Sequence, residues 1–449
     1  MRRILPVHPP FCTPATPPYS ISSIYSILKY MDNLDVDVLD LNLEWHLLMY
    51  PEFGLYCRNM GFDAYEKKTQ EFLKKTKEDY SVSNKRVVNG GKPILFDEML
   101  EKIRLKKAEI VAFSVVYASQ VFYTYSLIIE LKKLGIKTIV GGPGVNGLLR
   151  KSADLCCDSS EKLLEYFGFH NEKKFCHPDF HIWDKKRYFS PQIVIPIKTT
   201  STCYYKGCSY CSHYCHEKYT EYPLFDIEKS VKGFKFVFLI DDMVKRERLF
   251  EIGRVFRRQG IKWCCQLRPT SEFDYSTLLE LFNSGLVMIM WGVESGCDRL
   301  LKLINKGTNI LDISQVISDS HKVGIKNIVY IMFGFPTETK EEAEITLRFL
   351  QDNTENIDLV STSVFGLQKD TPIYRNPLKY GVEVKETKRT ILDERIDYTV
   401  SSGMSNTDAK KFRARHKRTL EKLNKYAKAM NFFREHMLIM IGERLKKCC

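Results

Sequence analysis

The sequence contains no apolar run long enough to cross a membrane: none of its 449 residues belongs to an uninterrupted stretch of about 20 apolar residues. The opening segment, MRRILPVHPPFC, also lacks the apolar core of a signal peptide, because His8, Pro9 and Pro10 interrupt it. We therefore expect a cytoplasmic protein without a membrane partner. At roughly 100–200 residues per domain, the length predicts two or three domains.

Outside its C-terminal end, the chain has only a small excess of positive charge. The net charge is +13, from 68 Lys and Arg against 55 Asp and Glu. Residues 406–449 hold 13 Lys and Arg against 4 Asp and Glu, a net of +9, which leaves +4 for the rest of the chain. Apolar residues such as Leu420, Leu423, Met430 and Phe433 recur there at helical spacing. The pattern predicts a helix packed on its own protein, although a basic face is also typical of contact with nucleic acid or an acidic protein.

Strands alternate with helices over residues 1–166. The strand-like runs are ILPV (from Ile4), VDVLDLN, AEIVAFSVVY and IKTIV, and SISSIYSILKYM predicts a helix between the first two. Strands of nearly continuous apolar type indicate a parallel sheet covered on both faces. We expect a small doubly wound α/β domain, whose ligand lies beyond the carboxyl ends of its strands. Gly141 and Gly142 follow the fourth run, where they allow close approach of a bound group or form a plain turn.

A second series of strands and helices follows residues 167–192, whose mixture of charge, proline and aromatic residues predicts a linker. Its strand-like runs, separated by helical segments such as STLLELFNSG, are IVIPI, FKFVFLI, IKWCCQL, LVMIMWGV, IKNIVYIMF and IDLVSTSVF. These units predict a partial or complete (β/α) barrel over residues 193–385, followed by a basic helical region over residues 386–449.

The unusual residues of this second series come directly after its strands. A cysteine-rich loop follows the first strand, Asp241 and Asp242 the second, Arg268 the third, Glu294 and Ser295 the fourth, and Gly334-Phe335-Pro336 the fifth. The carboxyl ends of barrel strands open on one face, so we expect these groups to converge on a single site. Structural alternatives stand beside this prediction: the acidic residues also suit helix caps, and the arginine an ion pair.

Four of the 14 cysteines are crowded into the segment CYYKGCSYCSHYC. Stable disulfides are rare in cytoplasmic proteins, and closely spaced thiolates on a glycine-containing loop indicate a metal centre. The spacing Cys203-x4-Cys208-x2-Cys211 is compatible with a plant-type [2Fe–2S] cluster that has a distant fourth cysteine. It also suits a structural zinc site that recruits Cys215 or a loop histidine, and a three-cysteine [4Fe–4S] cluster with one open iron.

The segment from Pro191 through Cys211, together with WGVESGCDRLLKLINKG and IMFGFPTETKEEAEIT, resembles the radical S-adenosylmethionine (SAM) superfamily. Over most of residues 1–385 the chain is similar to the branch with an N-terminal cobalamin-binding-type domain, which includes peptide-modifying radical C-methyltransferases. Its first cysteine gap is longer than the commoner C-x3-C-x2-C and matches a variant of this branch. The resemblance implies that Cys203, Cys208 and Cys211 ligate a [4Fe–4S] cluster whose open iron binds SAM.

The resemblance also implies roles for residues near the strand ends in binding SAM. These are Tyr210 and the turn with Gly334 and Pro336 against the adenine, Glu294 and Ser295 facing the ribose and methionine portions, and Arg268 towards the carboxylate. In the N-terminal domain, Gly141 and Gly142 match the glycine turn of a cobalamin site. Two features depart from that pattern: the family's glycine–glutamate repeat is replaced by DLCCDSSEKLLEYF, and no D-x-H-x-x-G motif offers a lower histidine ligand.

The implied activity is that of an enzyme that receives one electron from an external donor and cleaves SAM to a 5′-deoxyadenosyl radical. With cobalamin as a further cofactor, it would methylate an unactivated carbon of a peptide or protein. The alternatives are radical chemistry without methyl transfer, such as epimerisation, thioether formation or RNA methylthiolation. A metal-stabilised scaffold that binds RNA or protein is the alternative from another class, with nucleic acid the less favoured partner.

Overall fold

The computed structural model describes residues 1–59, 61–169, 177–211, 218–389, 391–392 and 395–447. The chain divides into two compact units, of which the first comprises Met1–Pro196 and Lys388–Arg395 and the second Ile197–Thr387 and Ile396–Cys449. No helix in the described ranges is both long enough and apolar enough to cross a membrane.

The first unit is built on a parallel sheet. Its strands are β1 (Arg2–His8), β2 (Leu34–Val36), β3 (Leu39–Asp40), β4 (Ile110–Ser114), β5 (Lys137–Gly141) and β6 (Leu155–Cys157). Its helices are α1 (Tyr19–Leu28), α2 (Leu41–Met49), α3 (Pro51–Arg58), α4 (Tyr65–Val88), α5 (Phe96–Leu105), α6 (Val121–Lys133), α7 (Gly147–Ser152) and α8 (Ser160–Tyr166). The strand order is β2-β1-β4-β5-β6, with β3 also paired to β1. The order reverses between β1 and β4, and sheets of this type bind ligands in the crevice outside the carboxyl ends of the strands at such a reversal.

Both faces of this sheet are buried, as its apolar strands predict. Val111 and Phe113 of β4 belong to the apolar cluster on one face, and Ile110 and Ala112 belong to the cluster on the other. The run VDVLDLN departs from the single predicted strand, because it is divided among β2, β3 and the start of α2. Asp40 explains the change of direction: its carboxylate accepts a hydrogen bond from Leu43 N at 2.9 Å and so caps α2.

The second unit contains the predicted series of parallel strands. They are β7 (Val194–Ile197, which spans the boundary between the units), β8 (Phe236–Leu239), β9 (Lys262–Leu267), β10 (Leu286–Glu294), β11 (Lys326–Phe333) and β12 (Leu359–Val364). The order is β12-β11-β10-β9-β8-β7. Within the described residues the sheet ends at β12 and β7, which corresponds to the partial form of the predicted barrel. The predicted fold class is confirmed.

Helices follow most of these strands. They are α9 (Leu224–Val231), α10 (Arg246–Arg258), α11 (Tyr275–Asn283), α12 (Asp298–Ile304), α13 (Ile310–Lys322), α14 (Lys340–Asp352) and α15 (Pro372–Arg375). The chain ends with a two-stranded sheet of β13 (Val382–Thr387) and β14 (Arg395–Val400), then α16 (Asn406–Arg415), α17 (Lys417–Lys422) and α18 (Arg434–Lys447).

The C-terminal helices complete the second unit. Asn424 Oδ1 accepts a hydrogen bond from Val360 N at 2.8 Å, and Asn431 Nδ2 donates to Val360 O at 3.2 Å. Arg413 Nη1 donates to Thr362 O at 3.2 Å. These side chains satisfy the outer backbone groups of β12, so the basic C-terminal region covers an edge that would otherwise be open to pairing.

Helix α18 lies on the face of the sheet opposite α10. Trp263 of β9 packs against Phe256 of α10, with ring centroids 5.6 Å apart. Its neighbour Lys262 therefore points to the other face, where it and Phe236 lie against Gly442 of α18. We call the α18 side the inner face of the sheet.

Candidate active site

The cysteine loop, residues 203–211, begins a few residues after β7, and its three cysteines are half-buried. Asp241, at the end of β8, fixes the approach to this loop. Its carboxylate accepts hydrogen bonds from the backbone N–H and hydroxyl groups of Thr199 and Thr200 at 2.7–3.0 Å. Burial raises the pKa of Asp241, and these donors oppose that shift. Asp241 therefore orders the start of the loop, whereas α10 begins later, at Arg246.

The same loop is tied to the segment that follows α12. Ser209 N donates to Ile304 O at 2.8 Å, and the Tyr205 hydroxyl donates to Asn305 O at 2.7 Å. Asn305 Nδ2 donates back to Gly207 O at 2.7 Å. Asn305 ends α12 in the left-handed conformation, with φ 56°, which asparagine tolerates better than most residues. Residues 304–307 thus form the platform that holds the cysteine loop.

A buried ion pair lies beside this platform. Glu294 Oε1 accepts one hydrogen bond from the Tyr210 hydroxyl and another from Lys306 Nζ, each at 2.8 Å. The pairing of β10 with β11 shifts between Gly292 and Glu294, and Glu294 has a positive φ of 70°. A side chain at Gly292 would bring its Cβ within 2.8 Å of Lys306 Nζ, so this glycine makes room for the ammonium group.

The carboxylate of Glu294 affects the pKa values of both Lys306 and Tyr210. Burial lowers the pKa of Lys306, but Glu294 and Tyr210 more than compensate and hold this pKa above its usual value. Burial, and then the carboxylate of Glu294, raise the pKa of Tyr210. Burial also raises the pKa of the Cys208 thiol, an effect that the nearby Lys306 opposes. A cationic group therefore lies close to a proposed cluster ligand.

Arg268, at the end of β9, reaches the same platform. Its guanidinium carbon lies 3.6 Å from the centroid of the Tyr205 ring, and its Nη1 donates to Lys306 O at 3.1 Å. Its Nε is buried and has no hydrogen-bond partner among the described residues. The structure thus brings together the side chains of Tyr205, Tyr210, Arg268, Glu294 and Lys306. The Nε of Arg268 is still available there as a hydrogen-bond donor.

Ser295 and the Gly334 turn have other contacts. The Ser295 hydroxyl lies 3.3 Å from Thr346 Oγ1 and accepts a hydrogen bond from Cys297 N at 3.1 Å, which leads into α12. Gly334, with φ 75°, donates its N–H to the carboxylate of Glu338, and a Cβ there would lie 2.5 Å from Ala409 Cβ. Pro336 is buried within the same turn. In this structure these residues contribute to packing and to local hydrogen bonds.

The cysteines form a donor set that fits an iron–sulfur cluster. Thiolates are the usual ligands of such clusters, and each binds a different iron atom, so the three sulfurs need not meet at one point. Within the described ranges, no group of three or more His, Cys, Asp or Glu side chains is arranged to hold a single metal ion. Cys215, the alternative fourth ligand, lies outside the described residues.

In the first unit, Gln120 joins the loops that follow β1 and β4. Its Oε1 accepts from Val116 N at 2.7 Å and from Tyr117 N at 3.0 Å, and its Nε2 donates to Pro9 O at 2.7 Å. His8 lies beside it at the end of β1, with an Nδ1 that has no partner in the described part of the chain. Burial lowers the pKa of His8 to about 4, so its ring is neutral at physiological pH.

The glycine turn closes against these loops. A Cβ on Gly141 would lie 2.9 Å from Cys157 O, and one on Gly142, whose φ is 107°, would lie 2.4 Å from Val115 O. Backbone packing therefore already requires glycine at both positions. The buried nitrogen of His8, which has no partner among the described residues, and the reversal of strand order between β1 and β4 fit a bound group at these carboxyl ends.

We expect Gly142→Ala to destabilise the first unit by about 3 kcal/mol or more, because the new Cβ collides with a backbone oxygen and the φ is unfavourable. Gly90→Ala is the matched control, since Gly90 also has a positive φ but has nothing within 4 Å of the position that a Cβ would take. There we expect a cost of about 1 kcal/mol. Urea unfolding followed by circular dichroism measures both, and equal losses would contradict the packing argument.

Residues 197–350, about a third of the chain, match the family model of the radical SAM superfamily. The second unit therefore contains a radical SAM domain. This superfamily uses a [4Fe–4S] cluster and SAM. The family assignment thus supports the interpretation that began with the cysteine spacing.

Three comparisons extend this result. An uncharacterised methyltransferase of Pyrococcus horikoshii is 22% identical over 187 residues, which are 38% of this chain and 40% of that protein. The chain thus spans less than half the length of this curated relative. The radical SAM methyltransferase TsrM from Kitasatospora setae, solved with tryptophan and a SAM analogue, has a TM-score of 0.61 at 15% identity, covering 94% of this chain and 89% of TsrM. The cobalamin-dependent radical SAM enzyme OxsB has a TM-score of 0.62 at 14% identity, covering 92% and 66%. At these identities, the solved structures show a shared fold.

Proposed function

We propose that this protein is a cobalamin-dependent radical SAM methyltransferase that acts on an unactivated carbon of a peptide or protein. One observation carries the proposal: a doubly wound sheet with its crevice between β1 and β4 precedes a radical SAM domain in the same chain. TsrM and OxsB, which share this fold, have been solved with cobalamin bound. When bound, the cluster and SAM would supply a 5′-deoxyadenosyl radical, and cobalamin a methyl group.

We assign the cluster to Cys203, Cys208 and Cys211. The support is chemical and geometric: three thiols occupy one loop that is fixed at its start by Asp241 and along its length by residues 304–307. A loop held from both sides keeps its sulfurs in place before the cluster binds.

We assign SAM to the groups around this loop. Lys306 and the free Nε of Arg268 would donate to the cofactor's carboxylate, while Glu294 would accept from its amino or ribose groups. Tyr210 would lie against the adenine. Ser295, Gly334 and Pro336 would contribute backbone contacts, since the Ser295 hydroxyl and the Gly334 N–H are already used within the protein.

We assign cobalamin to the carboxyl ends of β1 and β4 in the first unit. The loops that Gln120 links lie there, and the turn of Gly141 and Gly142 packs against the loop after β4. The neutral, partly unpaired His8 would offer a hydrogen bond rather than a charge. Gln120 would hold both loops in place and would thereby shape the crevice.

The test is anaerobic reconstitution of the full chain expressed with corrinoid supplied. We expect about four irons per chain, 5′-deoxyadenosine that depends on dithionite, and a corrinoid that stays with the protein on gel filtration. A Gln120→Ala variant should lose corrinoid but keep iron, because Gln120 shapes only the crevice. Retention of iron without 5′-deoxyadenosine would refute the radical chemistry, and failure of the wild type to retain corrinoid would refute the cobalamin assignment.

A further inference from the structure

Two polar side chains on the inner face of the second unit's parallel sheet take no part in the proposed SAM site. Arg434, the first residue of α18, places its guanidinium carbon 5.2 Å from the centroid of the Tyr330 ring of β11. Among the described residues, neither Arg434 Nε nor the Tyr330 hydroxyl has a hydrogen-bond partner, although both atoms are buried. Buried polar atoms are normally paired, and buried cations especially so, because leaving water costs them several kcal/mol.

These groups lie on the same face as the proposed SAM site, and deeper. Tyr330 pairs in register with Gly292, whose missing side chain would point at Lys306 Nζ and Glu294 Oε1. Paired residues of neighbouring parallel strands point to the same side of the sheet. Glu294 comes after Gly292 towards the carboxyl end of β10, so Tyr330 and Arg434 lie on the side of the SAM residues away from the strand ends.

In the part of the chain that the structure describes, no carboxylate forms a salt bridge with Arg434. Burial raises the pKa of the carboxyl of its neighbour Glu435, and the charge of Arg434 opposes that shift. The thiol of Cys264 is held neutral by burial, which raises its pKa.

We propose that Arg434, assisted by the Tyr330 hydroxyl, binds a carboxylate of the substrate on the inner face and so orients the carbon to be modified towards the SAM site. One guanidinium and one hydroxyl balance a single negative charge, which a carboxylate carries, and a guanidinium matches its two oxygens. In a peptide substrate this group is an acidic side chain or the terminal carboxylate. The inference rests on the proposed function, because it assigns the substrate end of the same site.

The experiment uses the anaerobically purified full-length protein with its cluster, titrated by calorimetry with phenylacetate, with its neutral analogue phenylacetamide, and with inorganic phosphate. We expect the wild type to bind phenylacetate and to prefer it to both other probes. Arg434→Gln should weaken phenylacetate binding about tenfold or more, since it removes a charge-assisted hydrogen bond. Tyr330→Phe should weaken it about two- to fivefold.

Arg418→Gln is the control, because Arg418 is exposed on α17 of the same basic region and should leave binding unchanged. Arg434→Gln should also unfold at a temperature close to that of the wild type, because it removes a half-buried charge that forms no salt bridge within the described residues. The proposal is overturned if the wild type does not bind phenylacetate or binds the amide or phosphate as tightly. It is also overturned if Arg434→Gln binds like the wild type or fails to fold, which would make Arg434 a structural cation. These binding measurements require neither cobalamin nor turnover. The proposed function can therefore be refuted while phenylacetate binding is confirmed, and phenylacetate binding can be refuted while the proposed function is confirmed.

Discussion

Cys208→Ala is expected to abolish reductive cleavage of SAM, with a loss of more than about a hundredfold in 5′-deoxyadenosine formed per chain. Cys208 is the central cysteine of the loop, and its thiol lies within the electrostatic reach of Lys306, Glu294 and Cys203. Loss of one of the three thiolates leaves an iron atom without a protein ligand. Residues 203–211 contain no fourth cysteine that could replace it. Iron and sulfide analysis after reconstitution, together with chromatography of 5′-deoxyadenosine, measures the effect.

Two further cysteine variants decide whether the effect belongs to the cluster. Cys156→Ala removes a half-buried thiol of the first unit and should leave iron content and SAM cleavage unchanged. Cys215→Ala should also keep the cluster, since the assignment leaves one iron open. If Cys215→Ala loses iron as fully as Cys208→Ala, the cluster has four cysteine ligands, and the proposed mode of SAM binding is wrong.

Most of the strands were predictable because they are runs of apolar residues long enough to be distinguished from their surroundings. All the predicted runs of the second unit form strands, with ends that differ by a residue or two. The sequence did not indicate β6, because three residues, Leu155–Cys157, are too few to show a period. It also did not indicate the break in VDVLDLN, which depends on the carboxylate of Asp40 capping a helix rather than on hydropathy.

The site was only partly predictable. The residues after the strands could be expected to converge, because topology alone brings carboxyl ends together. Lys306 and Asn305 were missed, since an Asn-Lys-Gly segment after a helix is typical of an exposed turn. The burial of Lys306 depends on Gly292 of β10, whose missing side chain leaves space for the ammonium group. Arg434 was missed for a related reason: in a basic tail an arginine is predicted to be solvated, and the packing of α18 on the inner face half-buries it.

Lys306→Met is expected to reduce SAM binding and cleavage by about a hundredfold and to destabilise the second unit by about 3–5 kcal/mol. The substitution keeps a long unbranched side chain but leaves Glu294 buried with the Tyr210 hydroxyl as its one remaining donor among the described residues. Equilibrium dialysis with labelled SAM and urea unfolding measure the two effects separately. Lys302→Met, on the exposed side of α12, should change neither quantity.

The double variant Lys306→Met with Glu294→Gln separates the structural role of the ion pair from its role towards the cofactor. Removing both charges abolishes the uncompensated carboxylate, so the double variant should recover most of the stability that Lys306→Met loses. Because SAM carries its own carboxylate and amino groups, a neutral pair cannot replace the lysine as a donor or the glutamate as a charged acceptor, and SAM binding should stay low. Recovery of both stability and SAM binding would show that the pair only supports the fold. If the double variant stays as unstable as Lys306→Met, the uncompensated carboxylate is not the cause of the lost stability. Lys306 would then stabilise the fold through contacts other than the one with Glu294.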